Sequence, residues 1–310
     1  MIKESIQLGD PVAHRGIVIA PLYPRGDPKA DYLTLEEALP LGFRITEVDE
    51  DGSVPELLAS NPLERAVLLY DGEELLGAKQ NRILNVTVLV AAGSETRIPV
   101  SCVEQGRWHA RSASFDAAGH AAYPELRRRK AEQLSAAPLT RGLAQATVWD
   151  AVAEKAGRHD VHSPTAAAAD IYRDREQELA ELRHMFPLTP GQSGALLALG
   201  EERLCLDYLS RPDAFTRLYP KLLDGYLLDA LEHLDREAAG PKRLAAFVTA
   251  AAESPAARQP SAGLGDDLRL AAEGVVGSGL VLDGELLQLS AFTSDGHVER
   301  TRVVRPSRRR

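Results

Sequence analysis

Two short polar stretches, set among apolar sequence, carry the side chains best equipped for chemistry. They are Lys79-Gln80-Asn81-Arg82 and Glu104-Gln105-Gly106-Arg107-Trp108. Arg82 and Arg107 can grip an anion in fork geometry, and Lys79 can meet it as a point charge. Gln80 and Asn81 can read hydroxyls or a base edge, and Trp108 can stack on a ring. Glu104 and Glu73 are the candidate acid–base pair, provided burial raises a carboxyl into the working range. Together these types suit a small anionic, nucleotide-like ligand. A buried polar group without a partner costs about 1–3 kcal/mol. These side chains must therefore be solvated, tied into a network, or lining a pocket. The alternative to a pocket is a surface hairpin with an Arg–Glu pair and a half-buried tryptophan. Cys102 lies in the same block, but no neighbouring feature marks a catalytic partner for it. It reads as a buried structural cysteine.

The elements that would position these groups are mostly strands. Ala66 to Tyr70 is apolar and runs into Asp71-Gly72, a tight-turn dipeptide. Leu75-Leu76 resumes the apolar run, so a hairpin is predicted over Arg65–Gly77. Ile83 to Val90 is rich in β-branched residues. After a turn at Gly93, a further strand is predicted over Arg97–Glu104, with Ile98, Val100, Cys102 and Glu104 on one face. Gly77 could mark a bulge that re-aims the side chains after it. On strand alternation, Lys79 and Asn81 would face one way and Gln80 and Arg82 the other.

The run GEELLGAKQNRILNVTVLVAAGS, followed by IPVSCVEQGRW, resembles a bacterial family, the ARG and Rhodanese-Phosphatase-superfamily Associated Protein domain. The likeness is strongest over this block and looser elsewhere, with Gly194–Asp207 and Lys221–Leu231 also family-like. Association with ADP-ribosylglycohydrolase-type genes implies a role near ADP-ribose or NAD-derived nucleotides, and a protein partner from that metabolism. Gln288 stands where the resemblance leads one to expect histidine. No catalytic mechanism and no cofactor comes with the resemblance. Whether the chain catalyses a reaction is left open, and the alternative is a non-catalytic module that docks on a partner enzyme.

Composition narrows the classes. With Lys+Arg 36 against Asp+Glu 45, the formal charge of −9 argues against general nucleic-acid binding. Aromatics at 5% are too sparse for a stacking platform along single strands. Two cysteines, Cys102 and Cys205, fit a reducing cytosol better than a disulfide scaffold. No signal-like N-terminus and no apolar run of membrane-spanning length occurs, so a cytoplasmic chain without membrane contact is expected. No glycine-rich phosphate loop, zinc constellation or nucleophile elbow is present, and no metal is expected. The acids Glu47, Asp49, Glu50 and Asp51 read as a solvated rim.

The expected architecture is α+β, one family domain over residues 1–310. A β-rich half over 1–123 carries the motif, barrel- or sandwich-like as the runner-up. A helical half over 124–310 has returning strands at 194–209 and 274–292. A strand at Gly16–Ala20 is predicted to end at Pro21. Helices are predicted over Pro124–Ala136, Leu139–Ala156, Asp170–Met185, Asp213–Arg236 and Lys242–Ala252. Pro220 should kink or divide the fourth of these. Arg127-Arg128-Arg129-Lys130 wraps around its helix and reads as solvated. Ser254 to Gly265 reads as a loop. Three segments share the pattern of apolar strand, Gly-Glu turn and apolar strand: LLYDGEELL, LLALGEERL and LVLDGELLQL. Shared turn chemistry is the simpler account of that echo.

Overall fold

Gly194–Leu199 and Arg203–Leu209 read GALLAL and RLCLDYL, and strands so continuously apolar need cover on both faces. The computed structural model, which describes residues 2–49, 55–109, 111–136 and 145–294, gives them that cover. They lie inside a nine-stranded antiparallel sheet. Its order is Ile6–Leu8, Ile17–Pro24, Gly194–Leu199, Arg203–Leu209, Glu285–Thr293, Val275–Leu282, Asp266–Ala272 and Ala256–Pro260, with Val12–His14 also on Ile17–Pro24. Alternation divides the side chains between two cores. Ile17, Ile19, Leu197, Leu199, Cys205 and Leu209 face helices Pro124–Ala136 and Pro212–Ala230. Val18, Ala20, Leu22, Leu196 and Leu206 face helix Pro241–Glu253 through Leu244 and Phe247.

The motif sits in a second sheet system. Six strands run in the order Phe115–Ala121, Glu73–Gly77, Arg82–Leu84, Ser94–Cys102, Glu56–Asn61 and Arg44–Glu47. Val88–Val90, Ala66–Leu69 and Tyr32–Thr34 form a third sheet, whose last pair is parallel. Phe43, Ile45, Leu57, Leu69, Val88 and Ile98 fill the core between them. The class is α+β with mainly antiparallel sheets, as the sequence pattern indicated. Among the described residues, no helix is long and apolar enough to cross a membrane.

Several local expectations need correction. Ala66–Leu69 and Glu73–Gly77 do not pair with each other. Tyr70 to Glu73 does form a turn, with the Glu73 N–H donating to the Tyr70 carbonyl at 3.1 Å. The strands on either side of it enter different sheets. The turn is buried, and its groups bond outward instead of guiding the chain back. Gly72 N–H donates to Leu84 O at 3.0 Å, and Ala122 N–H to Gly72 O at 2.7 Å. A Cβ on Gly72, whose φ is +86°, would lie 2.7 Å from Arg127 Cδ. Of the three Gly-Glu segments, only the second and third are therefore hairpins, both in the nine-stranded sheet. The strand from Ile17 runs through Pro21 to Pro24, because Pro21 occupies the gap between two short partner strands and its carbonyl accepts from Gly9. Pro220 lies within an unbroken helix. The stretch predicted as a loop contains edge strand Ala256–Pro260, held by backbone pairing although its side chains are mostly exposed. Asp170–Met185 divides into helices Ala168–Asp174 and Glu176–Arg183. The start of the helix predicted from Leu139 lies outside the described residues, and helix Gln145–Arg158 follows.

The largest correction concerns the basic run. Arg128 and Arg129 are partly exposed, but Arg127 and Lys130, one turn apart on the inner face, are 0% and 2% exposed. Arg127 donates Nη1 and Nη2 to the two oxygens of Asp207 at 2.8 and 2.7 Å. Asp207 also accepts from the hydroxyls of Tyr70, Tyr226 and Ser290, each at 2.7 Å. Lys130 donates to Asp71 at 2.7 Å and to the Leu84 carbonyl at 2.6 Å. Burial alone would raise the Asp207 carboxyl. The Arg127 charge and hydrogen bonds, with those of Tyr226 and Tyr70, bring it down to about 2.

Asp207→Asn would leave Arg127 as a buried charge with half its fork unmatched. Urea denaturation is expected to show a loss of about 3–5 kcal/mol. Because the folded value lies below the ordinary Asp value of about 3.9, the contribution of Asp207 is complete above about pH 4. It fades as pH falls towards 2, and the Asn variant should lack that part of the acid dependence.

Candidate functional site

Glu73–Gly77 pairs with Arg82–Leu84, placing Glu74 opposite Ile83 and Leu75 opposite Arg82. Lys79-Gln80-Asn81 is therefore the tip of a hairpin rather than a stretch of strand, and strand alternation does not apply to it. Gly77 at φ +131° and Ala78 at φ +38° turn the chain there. A Cβ on Gly77 would lie 2.6 Å from Ser112 Oγ, so glycine is required by both conformation and space. The second polar stretch is brought alongside by the Val103 N–H donating to the Asn81 carbonyl at 3.0 Å. It is held on its other side by an isolated bridge from Glu104 to Ala167 and by Gly106 N–H donating to Thr165 O at 2.8 Å.

Glu104, Asn81 and Arg107 meet and bond to one another. Arg107 Nε donates to Glu104 Oε2 at 2.8 Å, and its Nη2 lies 2.6 Å from the same oxygen. Arg107 Nη1 donates to the carbonyls of Ala78 and His109 at 2.6 and 3.0 Å, and Nη2 to Asn81 Oδ1 at 3.1 Å. Asn81 gives its backbone N–H to Glu104 at 3.1 Å and its side-chain Nδ2 to Glu74 at 3.2 Å. Glu74 continues to His120 Nε2 at 2.9 Å, and His120 stacks on Tyr172 with ring centroids 3.9 Å apart. Burial acts to raise the Glu104 carboxyl, but the Arg107 hydrogen bond, the Asn81 N–H and the Arg107 charge outweigh it. The net shift is downward. Glu104 is thus an ionised acceptor, not an acid held ready to donate.

A second cluster adjoins the first. Arg82 is fully buried; its Nη1 donates to Gln80 Oε1 at 3.0 Å and contacts Cys102 Sγ. Its Nη2 is 3.8 Å from Glu47 Oε1. Arg82 Nε and Nη2 and both Glu47 oxygens are buried without hydrogen-bond partners among the described residues. The Trp108 indole, 50% exposed, lies over this pair. Arg82 Cζ is 5.8 Å and Lys79 Nζ 5.6 Å from its ring centre. Burial pushes the Cys102 thiol up to about 11, with Arg82 opposing and Glu47 reinforcing, so it is protonated at neutral pH. Glu47 was read as part of a solvated rim, yet it faces the buried Arg82. Glu50 and Asp51 lie outside the described residues.

Glu73 is not part of either cluster. Its carboxylate accepts from the Tyr70 N–H at 2.9 Å and pairs with Lys221 at 3.3 Å, facing helix Pro212–Ala230. Sequence reading missed Glu47, Glu74 and His120. The adjacent acids Glu73-Glu74 at a turn were the available signal for Glu74, whereas nothing local marks His120. Among the described residues no group of three or more His, Cys, Asp or Glu is arranged to hold a metal ion.

The family model for ARPP-1, the ARG and Rhodanese-Phosphatase-superfamily-associated Protein domain, matches residues 5–292. This chain belongs to the ARPP-1 family. No curated protein and no solved structure matches it. The ARPP-1 match takes in both polar stretches and the buried Arg127–Asp207 network alike. Gln288 lies in that network, fully buried, donating to Ser290 Oγ at 2.7 Å while its Oε1 has no partner among the described residues.

Glu104→Gln removes the charge that balances buried Arg107, with an expected loss of about 3–5 kcal/mol in chemical denaturation. Because its carboxyl is shifted down on folding, Glu104 contributes fully above the ordinary glutamate range. That contribution falls away in more acidic solution.

Proposed function

We propose that this chain works by associating with a partner protein, and that the corner carrying Trp108 and Lys79 is the contact. The observation that carries this reading is a half-exposed indole fixed on a rigid base, where Glu104, Asn81 and Arg107 are engaged with one another. Tryptophan is enriched among the residues that dominate interface energies, and a rigid support lowers the ordering cost of binding. The family description, which ties ARPP-1 to ARG and rhodanese-phosphatase proteins, points the same way.

A second reading, a nucleotide-derived anion such as ADP-ribose, is favoured by Arg82. Two of its nitrogens lack partners among the described residues beneath a ring on which a base can stack. On that reading Lys79 meets the phosphates, buried Arg82 adds its charge from beneath the ring, and Gln80, Asn81 and Arg107 shape the support.

Co-purification with ARG-type and rhodanese-phosphatase-type proteins tests the first reading. Trp108→Ala is expected to weaken the complex by about tenfold or more while leaving the melting temperature unchanged. A thermal-shift panel containing ADP-ribose tests the second. A rise in melting temperature that disappears in Trp108→Ala and Lys79→Ala supports ligand binding. Neither a complex nor a shift would overturn both readings.

A further inference from the structure

A trough whose enclosed part measures about 90 Å³ lies away from the motif. It runs between the first turn of helix Pro124–Ala136, the end of helix Pro212–Ala230 and the hairpin Gly194–Leu199/Arg203–Leu209. Leu197, Leu199, Cys205 and Phe292 supply its apolar lining, and Arg128, Glu202 and Arg203 its charged rim. The register sets Leu199 opposite Arg203 and Leu197 opposite Cys205. Alternation puts Arg203 on the same sheet face as Cys205, the face covered by the helices, while Glu202 sits in the turn before the strand. The field of Arg203 is felt just beyond the Pro212–Ala230 helix. Burial, then Arg203 and Arg236, lower the His233 imidazole to about 4, against opposition from Glu232.

The acids deeper in the trough are already committed. Glu125 is bound by Arg129, Lys155 and Arg158 at 2.8, 3.2 and 2.5 Å. Asp229 accepts from Lys155 Nζ and from the Glu125 N–H, both at 2.8 Å. They have little capacity left for a cationic ligand. Arg203 makes no ion pair or hydrogen bond through its side chain among the described residues. Arg128 pairs with Glu132 at the partly exposed rim. With Arg128 engaged by Glu132, Arg203 is the guanidinium left to meet a ligand, and that suits a single negative charge better than a polyphosphate.

We propose that this trough binds a small amphipathic monoanion, its apolar body on Leu197, Leu199 and Phe292 and its carboxylate or sulfonate head on Arg203. Its enclosed part, about 90 Å³, is smaller than a whole small-molecule site, so the anion lies along the trough with part of its body in solvent. The site is separate from the Trp108 corner and does not depend on the function proposed for it.

The probes are octanoate, with an aliphatic body, and 8-anilinonaphthalene-1-sulfonate, with an aromatic one. Titration of the full chain is expected to show saturable binding and mutual competition. Arg203→Glu, at an exposed position, should keep the melting temperature and weaken binding by about tenfold or more. In methyl NMR, octanoate should shift Leu197 and Leu199. It should also raise the His233 pKa, because the bound head offsets Arg203. Absence of saturable binding, affinity unchanged in Arg203→Glu, or shifts confined to other surfaces would overturn the proposal.

Discussion

Arg127 and Asp207 meet in the dry centre of the molecule, and most of the fold can be read as a consequence of that pairing. Removing a guanidinium and a carboxylate from water is repaid only when most of the remaining donors and acceptors are met. In this pair Arg127 Nε, 3.5 Å from Asp71, is the group left without a hydrogen bond among the described residues. Here the carboxylate collects both arms of the arginine and three hydroxyls, contributed by Tyr70, Tyr226 and Ser290. Those groups come from the motif turn, the Pro212–Ala230 helix and the last strand of the nine-stranded sheet. A network so assembled specifies how three layers sit against one another, which apolar contacts alone do less sharply.

The Asp71-Gly72-Glu73-Glu74 turn is inserted into the same junction. Asp71 meets Lys130, Gly72 makes room for Arg127, Glu73 meets Lys221, and Glu74 meets Asn81 and His120. Each acid of the turn has its own partner, and two of the partners are lysines from the helical layer. The hairpin bearing Lys79 to Arg82 starts directly from this anchored turn, and the Glu104–Arg107 pair closes over its tip. The polar residues that looked most like a ligand site therefore lie within a bonded lattice. What reaches the surface is the indole of Trp108, with Lys79 against its ring.

Much of the secondary structure was legible because it is decided locally. The apolar runs gave the strands, and the start of helix Pro124–Ala136 was readable, its far end bordering residues outside those described. The direction faced by its basic run was not, since burial of Arg127 depends on an aspartate 80 residues further on. The hairpin expected at Arg65–Gly77 failed for a related reason. A turn dipeptide reports its own backbone, whereas the sheet that each flanking strand joins is settled by the core. The polar stretches were correctly marked as unusual, and Asn81, Glu104 and Arg107 do come together. His120, which meets Glu74, and Glu47, which faces Arg82, came from other strands whose local sequence reads as ordinary surface, whereas Glu74 was marked by the adjacent acids at its turn. Lys79 to Asn81 form a turned tip, so period-two reasoning could not assign their faces.

Native-state hydrogen exchange, read residue by residue, tests most directly whether buried charge joins the motif to the helical layer. The amides to compare are Gly72, bonded to Leu84, and Asn81, bonded to Glu104, against Leu206 in the central strand. If the network binds these layers into one cooperative unit, all three should open with free energies within about 1 kcal/mol of the global value. Gly72 and Asn81 exchanging through a much cheaper local opening, with Leu206 still protected, would contradict it.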